Sequence, residues 1–120
     1  MKRRELDKYI TDFYGVLPEY PWIKHANYAV YRHKNNNKWF AVIMDIPCGK
    51  IGLTGGELVC IVNLKCDPIL IGSLLKDEGI YPAYHMNKSY WISVKIDEKT
   101  DVEKLKWLLD ISFGLTQKKK

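Results

Sequence analysis

The stretch Leu58-Val59-Cys60-Ile61-Val62-Asn63-Leu64-Lys65-Cys66-Asp67-Pro68 decides the fold. Cys60, Val62, Leu64 and Cys66 recur at every second position, the period of a half-buried strand. Alternation turns those four inward and Asn63 and Lys65 outward. Asp67-Pro68 then supplies an N-cap carboxylate and a proline at the first helical position, where a missing N–H costs the helix nothing. A strand therefore runs straight into a helix through Ile69, Leu70, Leu74 and Leu75 that ends near Gly79.

The flanking segments follow the same logic. Tyr90 to Ile96 alternates strictly, with Tyr90, Ile92, Val94 and Ile96 on one face and Trp91, Ser93 and Lys95 on the other. Ile80 to Ser89 reads as a loop. Thr100-Asp101-Val102-Glu103 matches a capping box and opens a last helix with Val102, Leu105, Leu108, Leu109 and Phe113 inward. Upstream, Tyr28 to His33 and Trp39 to Met44 flank Lys34-Asn35-Asn36-Asn37-Lys38, the pattern of a β-hairpin. Pro47 to Gly56 reads as a glycine-containing loop with a short strand at Lys50 to Leu53, and its glycines match no phosphate-binding pattern. Leu6, Ile10, Phe13, Tyr14 and Leu17 predict an amphipathic helix over residues 5–16, stopped by Pro18-Glu19-Tyr20-Pro21. The expected fold class is α+β: a largely antiparallel β-sheet with N-terminal, middle and C-terminal helices packed on one side. If the strands 58–66 and 90–96 are neighbours, Asn63, Lys65, Trp91 and Lys95 share one polar, aromatic surface.

A chain of 120 residues suits one domain, residues 1–117, ahead of a basic tail at 118–120. Its 47% hydrophobic and 28% charged residues exclude a disordered or collagen-like chain. No apolar run approaches the roughly 20 residues that span a bilayer, and Met1 to Lys8 lacks a signal-peptide core. The expectation is a cytoplasmic protein with no membrane partner. Cys48, Cys60 and Cys66 are odd in number and form no C-x-x-C, so reduced thiols are expected, with no disulfide, metal site or cofactor.

The net charge of +5 comes from the ends. Without Lys2, Arg3, Arg4, Lys118, Lys119 and Lys120, 13 of the 19 cationic residues remain against 14 acidic ones. The interior charge is nevertheless segregated. Pro21 to Met44 holds no acid but carries Lys24, Arg32, Lys34 and Lys38, and Gly79 to Ile96 holds no acid but carries Lys88 and Lys95. A basic sheet-and-loop face opposite more acidic helices follows from this pattern.

Two segments go beyond periodicity. Asn63-Leu64-Lys65-Cys66-Asp67-Pro68, followed by Tyr84-His85-Met86-Asn87-Lys88-Ser89-Tyr90-Trp91, resembles the signature of the MmcQ/YjbR-like family of small bacterial proteins. The resemblance covers essentially the whole chain. It implies a double-wing, CyaY-like or secretion-chaperone-like α+β fold, and it brings a DNA-binding label that rests on structural analogy. It implies no agreed reaction, substrate or cofactor. The chain departs from the family in a lengthened insertion between Pro47 and Gly56.

Asn63 and Lys65 are residues that sheet stability alone does not ask for. The loop from Tyr84 to Trp91 gathers aromatics, His85, Asn87 and Lys88, a set able to stack on a base and donate to phosphate. The competing reading is a rigid loop, with Tyr84 packing on the last helix, His85 bonding a carbonyl and Asn87 closing a turn. No catalytic residues are expected, because no nucleophile, base and orienting group fall into a recognisable pattern. The primary expectation is weak, non-specific nucleic-acid binding through Arg32, Lys34, Asn63, Lys65, Tyr84, His85, Asn87, Lys88, Trp91 and Lys95, engaging about four or five phosphates. The alternative is a protein-binding adaptor or chaperone-like module that uses Trp22, Trp39 and Trp91 as an aromatic surface.

Overall fold

Five strands make one antiparallel sheet in the order β1-β2-β3-β5-β4: β1 (Ala29–Arg32), β2 (Trp39–Pro47), β3 (Leu58–Lys65), β4 (Ile80–Pro82) and β5 (Trp91–Ile96). Helices α1 (Arg3–Tyr14), α2 (Pro68–Leu74) and α3 (Val102–Thr116) pack on one side of it. The computed structural model describes residues 1–117; the expected basic tail, Lys118 to Lys120, lies outside the described residues. Among the described residues, no helix is long and apolar enough to cross a membrane.

The helix side holds the larger core. Leu6 and Ile10 of α1, Ile71 and Leu74 of α2, and Leu105, Leu108 and Leu109 of α3 close over Val62, Leu64, Ile92 and Val94 of the sheet. These are the stripes that helical and strand periodicity predict. The opposite face is also covered over its centre. Val30, Val42, Met44, Ile46 and Ile61 form a second apolar cluster beneath Trp22, Trp39 and Tyr84. A central strand buried on both faces reads as a continuous apolar run, which is why Trp39 to Met44 shows no alternation.

A β-bulge settles which face each β2 residue takes. Tyr31 pairs with Ala41 but Arg32 pairs with Trp39, so Phe40 is the extra residue. Phe40 and Ala41 both face the helices as a result, while Trp39 joins the far face.

Several boundaries differ from the sequence expectation. Helix α1 ends at Tyr14, before the prolines, because Gly15 adopts φ 68° and its N–H bonds the Thr11 carbonyl. Phe13 and Leu17, expected inward, are exposed. Strand β2 runs on to Pro47 and is followed by a 3₁₀ turn at Cys48–Ile51, with no strand at 50–53. Helix α2 stops at Leu74, well short of Gly79, and the expected loop from Ile80 contains β4. Strand β5 starts at Trp91, and Tyr90 is half exposed rather than inward. The cap of α3 is Asp101, whose carboxylate accepts from the Lys104 N–H; Thr100 instead accepts from the Asp97 N–H and donates to the Lys95 carbonyl. The Asp67 cap and N1 proline of α2 stand as expected.

One buried group ties the hairpin to α3. His33 is only 5% exposed, with its ring 5.2 Å from Phe40 and 4.3 Å from Phe113. Its Nε2 lies 2.8 Å from Thr116 Oγ1, whose own proton goes to the Ser112 carbonyl, so Nε2–H is the donor. Burial pushes the His33 pKa below its usual value. The unfolded chain then binds more protons near pH 6 than the folded one, so stability rises with pH in that window. Stability should hold steady above about pH 6.5 and fall below it, before the carboxylates titrate. Thermal melts against pH test this: His33→Gln should flatten the decline between about pH 6.5 and 5, and an unchanged decline would contradict it.

Candidate functional site

Strands β3 and β5 are neighbours, so the residues expected to share a surface do meet. Lys65 stands opposite Trp91, Asn63 opposite Ser93 and Ile61 opposite Lys95. Because Val62, Leu64, Ile92 and Val94 face the helices, alternation turns Lys65, Trp91 and Lys95 to the far face, where all three are half-buried. On β1, Arg32 stands opposite Trp39 on that same face, its guanidinium carbon 5.6 Å from the centre of the indole. Lys34 is exposed in the hairpin turn.

Asn63 departs from the expectation of an outward, exposed group: it is fully buried. The chain after β4 folds back over this part of the sheet and covers it. Asn63 Nδ2 donates to the Tyr84 carbonyl at 2.8 Å, and its Oδ1 accepts from the Ser93 hydroxyl. Ser93 Oγ in turn accepts from the Tyr84 N–H at 3.0 Å. A polar pair in a dry position is tolerated because each partner is satisfied, and the result pins the loop to the sheet.

The rest of the loop is built as a brace. Tyr84 packs on the far-face cluster and not on the last helix. Burial, with the Tyr84 hydroxyl beside it, pushes the Tyr28 phenol up. His85 reverses the chain at φ 59°, a region histidine enters more readily than most residues, and its ring lies 4.0 Å from that of Tyr84. Asn87 closes a turn: its Oδ1 accepts from the Ser89 N–H and its carbonyl from the Trp91 N–H, each at 2.9 Å. Lys88 Nζ donates to the Ala83 carbonyl at 3.0 Å. These contacts fit the turn expected at Asn87 but not the expected packing of Tyr84 on the last helix, and they present Trp91 at a fixed place.

Two of the expected cations have acidic neighbours. Arg32 Nε lies 3.1 Å from Glu19 and Lys95 Nζ 3.3 Å from Asp97. Lys95 and Asp97 also line a cleft of about 450 Å³ that includes Asp77, Asp101 and Lys104. Lys95 thus belongs more to that edge of the sheet than to the end that carries Arg32, Lys65 and Trp91. Sequence reasoning missed Trp39 as part of this end, because the bulge that turns it outward leaves no periodic signal.

The thiols are spread through the fold. Burial, with Asp45 adding to it, pushes the Cys60 thiol up to about 12, so it is protonated at neutral pH. Burial also raises the Cys66 thiol, and Cys48 Sγ donates to the Gly55 carbonyl at 3.2 Å. Among the described residues, no group of three or more His, Cys, Asp or Glu side chains is placed to hold a metal ion.

Residues 11–115 match the family model YjbR. The chain is 42% identical over 118 residues to YyaQ, an uncharacterized protein of Bacillus subtilis (strain 168), across 98% of this chain and 99% of YyaQ. A crystal structure of a protein from Pseudomonas syringae shares 44% identity and superposes with a TM-score of 0.95, covering 98% of this chain and 100% of that one. Deinococcus radiodurans protein DR2400, described by its DUF419 domain, shares 26% identity at a TM-score of 0.63, over 87% of this chain and 70% of that one. With sequence and fold agreeing along nearly the whole length, the chain belongs to the YjbR family.

Proposed function

We propose that this protein binds nucleic acid weakly and without sequence preference through the sheet face opposite the helices. The observation that carries the reading is the pairing of Lys65 with Trp91, a cation beside an aromatic ring, at the end of the sheet flanked by Lys34 and Lys88. Such a pair offers a phosphate contact and a base or sugar contact at one place. The acids beside Arg32 and Lys95 reduce the phosphates engaged to about three, so the log–log salt slope should be about −2 to −3 and affinity in the non-specific range, 10⁻⁴–10⁻⁶ M.

Fluorescence anisotropy with a labelled oligonucleotide, between roughly 50 and 200 mM salt, tests this. The lysine tail is a separate source of binding, so the reference protein carries Lys118→Gln, Lys119→Gln and Lys120→Gln. It should still bind, and adding Lys65→Ala should weaken binding severalfold at low salt. Loss of all binding in the reference protein, or indifference to Lys65→Ala, would overturn the reading.

A protein-binding adaptor is the second reading, and one observation favours it. Trp107, Ile111 and Leu115 fall at i, i+4 and i+8 on α3, with Trp107 48% and Leu115 45% exposed. This stripe lies on the helix side of the fold. Trp22 and Trp39, by contrast, pack edge-on against each other within the far-face cluster. Trp107→Ser should leave oligonucleotide affinity unchanged if the sheet face is the site.

A further inference from the structure

We infer that the nucleic acid this face takes is single-stranded, held by base stacking at Trp91 and at the Arg32–Trp39 pair with Lys65 on the phosphate between them. The inference rests on the nucleic-acid reading above and narrows it to one class of ligand. Its basis is a row across four adjacent strands. Arg32 on β1, Trp39 on β2, Lys65 on β3 and Trp91 on β5 share one end of the sheet and the face away from the helices. Cation and aromatic side chains alternate along it.

The planar groups of this row sit side by side on a sheet. Trp39 and Trp91 belong to strands two places apart, and two strand spacings are about 9.5 Å. In a duplex each base has both faces covered by neighbours about 3.4 Å away, and its edges are paired. A duplex therefore brings phosphates to such a row but no base faces. An unpaired strand can turn successive bases down onto the two platforms and leave its backbone over Lys65, the way sheet surfaces with aromatic side chains read single strands. The guanidinium of Arg32 lies over the Trp39 ring, so the outer layer at that platform is itself a flat cation on which a base stacks. Glu19, its carboxylate 3.1 Å from Arg32 Nε, removes part of the net charge of that plane. That arrangement favours stacking over phosphate capture. The row is also short: three strand spacings, about 14 Å, hold only two or three nucleotides, in keeping with weak binding.

The test compares one short mixed-sequence oligodeoxynucleotide as a single strand and as its duplex, using anisotropy and tryptophan fluorescence at equal salt. The protein is the full chain carrying the three tail substitutions. The single strand should bind about tenfold tighter than the duplex, quench tryptophan emission, and show a shallower salt slope, about −0.7 for each phosphate neutralised against about −0.9 for the duplex. Trp91→Leu should bring the single strand most of the way down to the duplex level while leaving duplex affinity in place, and Trp91→Phe should keep more of the preference. Arg32→Gln, a change at a side chain 28% exposed, should narrow the preference as well and serves if Trp91→Leu proves unstable. Equal or tighter binding of the duplex, or a preference unaltered by both Trp91→Leu and Arg32→Gln, overturns the single-strand inference alone. Failure of both nucleic-acid forms to bind overturns the nucleic-acid reading with it.

Discussion

Replacing Leu105 by alanine should lower the unfolding free energy by about 2–5 kcal/mol, through lost transfer energy and the cavity left behind. Leu105 is 1% exposed within the helix-side cluster that also holds Val62, Leu64, Val94 and Ile96 of the sheet. The surrounding strands are tied into a five-stranded ladder and close poorly over a vacated leucine, which places the loss at the costly end of such changes. Urea denaturation should show a lower midpoint with the slope unchanged. Leu115→Ala, 45% exposed on the same helix, is the control and should cost less than about 0.5 kcal/mol. A Leu105→Ala loss as small as the control's would contradict the packing described.

Asn63→Ala should cost about 2–4 kcal/mol, more than the loss of a single surface hydrogen bond. The amide donates to the Tyr84 carbonyl and accepts from the Ser93 hydroxyl, so its removal leaves two buried groups without a partner. The damage should be local as well as global. The Tyr84–Trp91 segment loses its anchor to the sheet, and hydrogen exchange there should accelerate more than in β2 or α3. Because Asn63 and Ser93 share one network, the double change to alanine should cost less than the two single changes combined. Strict additivity in a double-mutant cycle would show that the two residues act independently.

The elements of this fold were legible wherever local chemistry decides structure. The period-two run at Cys60 to Cys66, the Asp67-Pro68 cap and the leucines of α3 each carry their reason in a few neighbouring residues. The adjacency of β3 and β5 stays open in the sequence, since strand order is a long-range property that periodicity does not encode. The same limit explains the misplacement of Asn63. Alternation gives the face of a residue correctly, yet burial on that face depends on the Tyr84 loop, which arrives from 21 residues downstream. Tyr90 reads as inward, yet is half exposed, because the strict alternating pattern continues one residue beyond the strand itself. The sequence shows Trp39 only as one of several aromatic residues, since the bulge at Phe40 that turns it toward Arg32 is a register feature of two paired strands.

For the candidate site, charge segregation pointed to the sheet face opposite the helices but overstated the free charge upon it. Acid-free stretches of sequence acquire acidic neighbours from elsewhere in the chain: Glu19 reaches Arg32 and Asp97 reaches Lys95. The motif residues Asn63, Tyr84 and Asn87 serve first to hold the loop, and through it they fix the position of Trp91 beside Lys65. Their place in the family signature is accounted for by this architecture, and the surface they support is where ligand chemistry is proposed.

The most direct test of that surface is a titration of the ¹⁵N-labelled protein with a short single-stranded oligonucleotide, followed by backbone and indole amide shifts. Fast-exchange shifts should centre on Lys65, the Trp91 and Trp39 indoles, Arg32 and Lys88, with α1 and α3 unmoved. Shifts centred on Trp107 and Leu115, or confined to the lysine tail, would contradict it.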